Sequence, residues 1–274
     1  MSEFKLTDEN YYSEEADKNF MSYSQFKNYK ECEAMGLAID ERRYIKPSSD
    51  ALVQGSYIDA YFSGEMDQFK EAHPEIYKKD GTLKSDFLVV QRVIEAIEAN
   101  EPFHDMFYTG NSQQVLTGVI GGVPYRGKID FLFDNKIVDM KCMSAKSMEG
   151  AWIEVDGRNQ KVPFWFAFGY HYQAAIYREL VRQTCGDTLP YYLAVATKEE
   201  NPAMKAMLFD SETLDEALKE VEALSPRYWA IKNHEIEPNE CKECEYYKQT
   251  HKFDPLRDIE VIGYQQMMKK EELL

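Results

Sequence analysis

Apolar residues recur along this chain first with a helical period and then with a strand-like one. Residues 85–99 carry Phe87, Val90, Val93, Ile94 and Ile97 at the spacing of one helix face. Ser22 or Ser24 stands where a cap would open a helix through Phe26, Tyr29 and Cys32. Another helix is predicted over 49–62, with Ala51, Leu52, Ile58 and Tyr61 on its buried side and Gly64 as its stop. Gly55 inside that helix suggests close backbone packing or some special contact. Beyond residue 110 the period changes. Residues 114–120 read as a strand, Gly121-Gly122 as a tight hairpin turn and 123–133 as the return strand. Asp134-Asn135 marks a second turn into a strand over 136–142, which completes an antiparallel meander. A long helix follows from about 167 to 183, then strands over 191–197 and 204–209, then a helix over 211–232. This order predicts an α/β (α+β) fold with a central sheet and flanking helices. No Pro-, Gly- or Ser-rich linker divides it, so residues 1–274 are expected to form one domain. Within it, 1–20 form an acidic, partly ordered lead-in and 22–110 a helical part. Residues 111–210 hold the sheet and its long helix, and 211–274 a helix and a cysteine-containing tail.

Composition narrows the class. With 15 Phe, 19 Tyr and 3 Trp in 274 residues, the chain needs a packed interior and is not wholly disordered. No stretch approaches the roughly 18 apolar residues of a spanning helix, and the N-terminus lacks a signal-peptide pattern. Five cysteines at irregular spacing do not make a secreted disulfide framework, so a reducing, cytoplasmic setting is expected. Lys and Arg number 32 against 48 Asp and Glu, a net charge of −16 that taken alone disfavours nucleic acid. Yet basic residues gather at Arg42-Arg43-Lys46, Arg126-Lys128, Lys141 to Lys146 and Arg158 to Lys161. The expectation is a narrow basic path on an acidic body.

The chemistry concentrates in Gly127-Lys128-Ile129-Asp130 and Asp139-Met140-Lys141. Residues two apart on a strand share a face, so Asp139 and Lys141 point together while Val138 and Met140 enter the core. Asp130, on the neighbouring strand, converges on them. Carboxylates facing inward from apolar strands need compensation, and an oxygen-ligated divalent cation, Mg²⁺ or Mn²⁺, supplies it. A plain ion pair at a strand end is the alternative. Gln173 and Tyr177 lie four apart on the long helix and share a face that could position a phosphate or water. A core tyrosine with a wet hydroxyl fits Tyr177 equally.

The order G-x-x-D, hairpin, D-x-K and then Q-x-x-x-Y resembles the PD-(D/E)xK nuclease superfamily. Within it, the RecB-like branch and the phage RecE-type (exodeoxyribonuclease VIII-like) exonucleases are most similar. Ser22-Tyr23-Ser24-Gln25-Phe26 is similar to the entry helix of that branch, and Gly55-Ser56-Tyr57-Ile58-Asp59 to its G-x-x-x-H motif. The resemblance runs from Ser22 to Cys244. It implies a restriction-endonuclease-like mixed sheet and Mg²⁺-dependent digestion of linear double-stranded DNA ends, usually 5′ to 3′. It also implies work beside a single-strand annealing recombinase and, from ring-forming relatives, a homo-oligomer. Asp130, Asp139 and the Met140 carbonyl would hold metal, Lys141 would be the catalytic lysine, and Gln173 and Tyr177 would line the site. Asp59 stands where many relatives have His and would be a harder ligand. Gln113 and Gln114 occupy a neighbourhood where some relatives carry Glu, which favours one metal ion over two. A nicking endonuclease or a catalytically silent DNA-binding subunit on the same fold are the competing readings.

Cys241-x-x-Cys244, with Cys32 far upstream, is similar to the thiols that hold a four-cysteine iron–sulfur cluster in RecB-like nucleases. Only three thiols are suitably placed here, and such a cluster takes four. Zinc with His251 as a fourth ligand is chemically feasible, but free packed thiols are the expectation. Cys142 and Cys185 read as buried small residues. His171 and Tyr172 could touch DNA or sit on a helix surface. Trp152, Trp165 and Phe166 flank a polar insert, 154–163, that could stack bases or simply loop over the surface.

Overall fold

In a computed structural model, residues 4–108, 110–155, 158–256 and 258–259 are described. The helical first part comprises α1 (Glu14–Asn19), α2 (Tyr23–Glu31), α3 (Glu33–Asp40), α4 (Asp50–Ser63), α5 (Met66–Ala72), α6 (Leu88–Ala99) and α7 (Glu101–His104). The meander follows as β1 (Asn111–Ile120), β2 (Val123–Leu132) and β3 (Ile137–Met143). After a turn of helix, α8 (Ala145–Met148), come β4 (Ala151–Val155), β5 (Arg158–Val162), α9 (Phe164–Ala167) and α10 (Tyr170–Cys185). Then β6 (Tyr191–Thr197), β7 (Met204–Leu208), α11 (Ser211–Lys232) and α12 (Glu245–Thr250) complete the described elements.

The main sheet has the order β1-β2-β3-β6-β7. β3 and β6 run parallel, and the other neighbours are antiparallel. This is a mixed sheet with helices on both faces, as the alternation of elements predicts. Gly121 and Gly122, at φ 58° and 79°, make the β1–β2 turn in the left-handed region that suits a two-residue hairpin. α10 and α11 cover one face through Ile176, Leu180, Val181, Leu214 and Val221, joined by Phe26 and Tyr29 of α2. The opposite core takes Val90, Val93, Ile94 and Ile97 of α6, Ile58 and Phe62 of α4, and Val138 and Met140 of β3. Val138 and Met140 therefore enter the core as alternation requires.

Several expectations change. The lead-in, expected to be solvated and partly ordered, packs against the fold near its end: Ser13 caps α1, Ala16 is fully buried and Tyr11 nearly so. On α4 the buried residues are Tyr57, Ile58, Ala60 and Phe62, while Leu52 (64% exposed) and Tyr61 (39%) face outward. Apolar residues surround that helix, so the sequence alone does not say which arc α6 and β3 cover. Gly55 has open space where a Cβ would sit, so no close packing requires it. The polar insert is a β4–β5 hairpin, and Trp152 on it is 71% exposed. His171 and Tyr172 are buried, with His171 stacked on Phe166, so neither lies on a helix surface. Cys185 is exposed and Cys142 half-buried.

Candidate active site

β2 and β3 pair only through Phe131–Val138 and Leu132–Ile137. Beyond these pairs the ladder opens into a fork. Asp130 sits in it and replaces the missing rung: its Oδ2 accepts the Met140 backbone N–H at 3.2 Å. A strand residue directs its N–H and C=O to the same edge, so the Met140 carbonyl also faces the fork. Asp139, 1% exposed, accepts the Gln173 side-chain amide at 3.0 Å through Oδ1. Its Oδ2 lies 2.6 Å from Lys141 Nζ, which is in turn 3.9 Å from Asp130 Oδ2. The first of these is close in charge but poorly aligned as a hydrogen bond, since Asp139 Oδ2 is left without one. Asp59 reaches the same place from α4, and its buried Oδ1 has no hydrogen-bond partner.

The electrostatics follow from this crowding. Burial pushes the Asp59 carboxyl up to about 6; Lys141 pulls it down and Asp139 pushes it further up. Burial also holds the Asp130 carboxyl well above the usual carboxylate range, reinforced by the Asp139 and Asp59 charges. Burial alone would favour neutral Lys141, but Asp139 and Asp130 outweigh it and hold its pKa above the ordinary lysine value. With all four groups ionised, three carboxylates and one ammonium sum to −2. A divalent cation neutralises that sum, and hard oxygen donors suit Mg²⁺ or Mn²⁺. Orphaned Asp59 Oδ1 and misaligned Asp139 Oδ2 are the oxygens such an ion would satisfy, so the residues fit the metal.

The predicted site residues Asp59, Asp130, Asp139, Lys141 and Gln173 are thus brought together. Tyr177, one turn beyond Gln173, is buried; burial raises its phenol, and Tyr11, Asp130 and Asp139 add to the rise. It closes the inner wall rather than projecting into solvent. Sequence reading misses two cations. Lys27 of α2 and Lys198, after β6, line a cleft of about 600 Å³ with Ser49, Leu52, Cys142 and Tyr170. The Tyr170 ring lies 5.6 Å from Lys141 Nζ, which joins this cleft to the fork. Lys128, on β2 two residues before Asp130, meets Glu65 at 2.8 Å and Asp8 at 3.1 Å.

The basic path foreseen in the sequence is largely neutralised within the chain. Arg126 pairs with Asp17, Arg43 with Glu41, Lys46 with Glu31 and Lys161 with Glu149. Away from the fork, the sulfur atoms of Cys32, Cys241 and Cys244 all lie within 4.8 Å of one another. Backbone N–H groups of Cys244 and Tyr247 donate to the Cys241 and Cys244 sulfurs, and Lys242 between them takes φ 63°. His251, the fourth ligand considered, is hydrogen-bonded to Asp258 instead.

A family model described as a PDDEXK-like domain of unknown function (DUF3799) matches residues 22–250. The chain belongs to this PDDEXK-like family. Its fold is accordingly that of the PD-(D/E)xK nuclease superfamily. A crystal structure from Eubacterium rectale, provisionally described as an exonuclease, is 34% identical with a TM-score of 0.85. The match covers 97% of this chain and 98% of that one. No curated protein matches. The span matched by the PDDEXK-like model includes the D-x-K fork and the α10 glutamine. No helix among the described residues is long and apolar enough to cross a membrane.

Proposed function

We propose that the chain is a Mg²⁺-dependent exonuclease that digests linear double-stranded DNA from an end. The observation that carries this reading is the fork: three converging carboxylates, Lys141 between two of them, and Gln173 fixed on Asp139. The RecE-type resemblance of the sequence and the exonuclease description of the Eubacterium rectale neighbour support end-directed digestion, 5′ to 3′, in phage-type recombination.

Asp59, Asp130 and Asp139, with the Met140 carbonyl, would hold the metal. When bound, the metal lowers the pKa of its water and neutralises charge developing on the phosphate. Lys141, kept protonated by its two carboxylates, would hold the non-bridging oxygen of the scissile phosphate or orient the attacking water. Gln173 keeps Asp139 in one rotamer, and buried Tyr177 prevents that helix face from yielding. Lys27 and Lys198 in the adjoining cleft would follow the sugar–phosphate backbone.

The test is digestion of end-labelled linear duplex in Mg²⁺. Wild type should shorten it from the end and spare closed circular DNA, while Asp139→Ala and Lys141→Ala should lose at least a hundredfold, of the order lost when one transition-state donor is removed. Intact linear substrate with wild type, or equal digestion by the variants, would end this reading. Cleavage of closed circles would replace it with an endonuclease.

A further inference from the structure

Lys128 ought to be the nearest phosphate-binding cation to the fork, because it stands on β2 two residues from Asp130. It is instead covered: its side chain is 7% exposed, clamped between Glu65 and Asp8. The covering segment is built for the purpose. The Asn10 side chain accepts the Thr7 N–H at 2.7 Å and donates to the Lys5 carbonyl at 2.9 Å, which folds residues 5–10 into a turn presenting Asp8. Tyr12 places its ring 5.6 Å from Lys128 Nζ. Besides burial, the groups acting on the Tyr12 phenol are Lys128, Glu65, Asp59 and Asp130, so it stands within electrostatic reach of the fork.

The two ends of the segment are held unequally. Tyr11 is buried with its ring 4.8 Å from the Arg126 guanidinium. Beyond it, Ser13 caps α1, and Met21 bonds Pro124 and Arg126 of β2 through the backbone. That end is part of the fold. Upstream, the Asp8 side chain (63% exposed) pairs with Lys128 and the Phe4 ring lies 6.4 Å from that of Phe20; these are the only side-chain ion-pair or ring ties to the rest of the fold among described residues 4–10. Because Asp8 is 63% exposed, water screens its side of the pair, which contributes at most about 1 kcal/mol. Such a contact opens readily.

We propose that residues 4–10 are a strap occupying a phosphate subsite at Lys128, with the Asp8 carboxylate in place of a DNA phosphate and Tyr12 beside the lysine. A duplex end enters by displacing it, an inference that rests on the nuclease reading. Glu65 stays behind to aim the freed lysine. The strap therefore competes with the phosphodiester backbone, the one ligand class that presents repeated anions along a path.

The test compares the full chain with one beginning at Tyr11, which keeps that buried ring and the α1 cap. Binding of a fluorescent linear duplex is followed by polarisation, with Ca²⁺ replacing Mg²⁺. If the strap is closed about 90% of the time, removing it tightens the apparent Kd about tenfold. One added phosphate contact steepens the slope of log K against log salt by about 0.9. Asp8→Asn with Tyr12→Ala should shift both in the same direction by a smaller amount in a chain of unchanged length. Lys128→Met in the shortened chain should remove both gains. Equal or weaker binding by the shortened chain, at an unchanged melting temperature, would overturn the strap. Should the shortened chain not fold, the Asp8/Tyr12 variant decides by the same criteria. If no form binds duplex, the nuclease reading fails and takes the strap with it; if all bind alike, only the strap fails.

Discussion

Asp130→Asn separates a metal site from an ordinary ion-pair cluster without any measurement of catalysis. The substitution keeps a carbonyl oxygen to accept the Met140 N–H but removes one of three negative charges around a single lysine. At 3.9 Å, the attraction to Lys141 is about 4 kcal/mol at an effective dielectric near 20. Asp139 and Asp59 each weigh on Asp130 more heavily than Lys141 does, with the opposite sign. Two repulsions against one attraction leave a fully ionised Asp130 with a net electrostatic cost. Uptake of a proton by the native carboxyl relieves part of this. The variant should therefore be more stable than wild type in EDTA, by about 2 kcal/mol, or roughly 4–8 °C in melting temperature. Magnesium closes that gap, and reverses the order where its Kd lies toward about 0.1 mM. With 10 mM Mg²⁺ and a Kd of about 0.1–1 mM, wild type gains about 1.4–2.7 kcal/mol, and the variant should gain little. Differential scanning calorimetry at pH 7.5, with EDTA and then with Mg²⁺, reads both effects. An Asp130→Asn chain that melts lower than wild type in EDTA, or gains as much from Mg²⁺, would refute the charge argument.

Other outcomes test the frame around the site. Gly121→Ala should destabilise by several kcal/mol in urea unfolding, because φ is 58° and a Cβ would lie 2.5 Å from the Glu222 carbonyl oxygen of α11; the neighbouring Gly122→Ala, with open space around it, should cost less. Buried Lys232 is lowered by burial to about 8, only partly offset by Asp40. The unfolded chain then binds more protons than the native one between about pH 8 and 10.5, so this group makes stability rise with pH over that window, by at most about 3 kcal/mol. Urea midpoints at pH 8 and 10 should show that contribution in wild type and not in Lys232→Met. The three gathered thiols should bind one Cd²⁺ per reduced chain with a thiolate charge-transfer band; persistence of the band in Cys241→Ser would disprove the geometry.

Period and turn chemistry suffice for the frame of the site. The alternation through Val138-Asp139-Met140-Lys141 sends Asp139 and Lys141 to one face whatever the sheet packs against, because a strand has no other way to place neighbours. Gly121-Gly122 likewise specifies its hairpin locally, and the one-sided stripe of α6 admits a single buried face. These are short-range consequences of backbone geometry. Long-range matters stay hidden. No local pattern says that α4 buries Tyr57 and Phe62 rather than Leu52 and Tyr61, since apolar residues surround the helix and only docking on α6 and β3 chooses among them. Charge pairing is equally invisible along the chain. The basic runs look available in the sequence, yet Asp17 and Asp8 reach Arg126 and Lys128 from more than a hundred residues away. Cys32 meets Cys241 and Cys244 in the same manner. The sequence by itself determined which residues could do chemistry and which way the strands point them. Only the tertiary structure decided which charges remain uncompensated, because a charge is neutralised by what lies within a few ångströms of it in space and not by its neighbours along the chain.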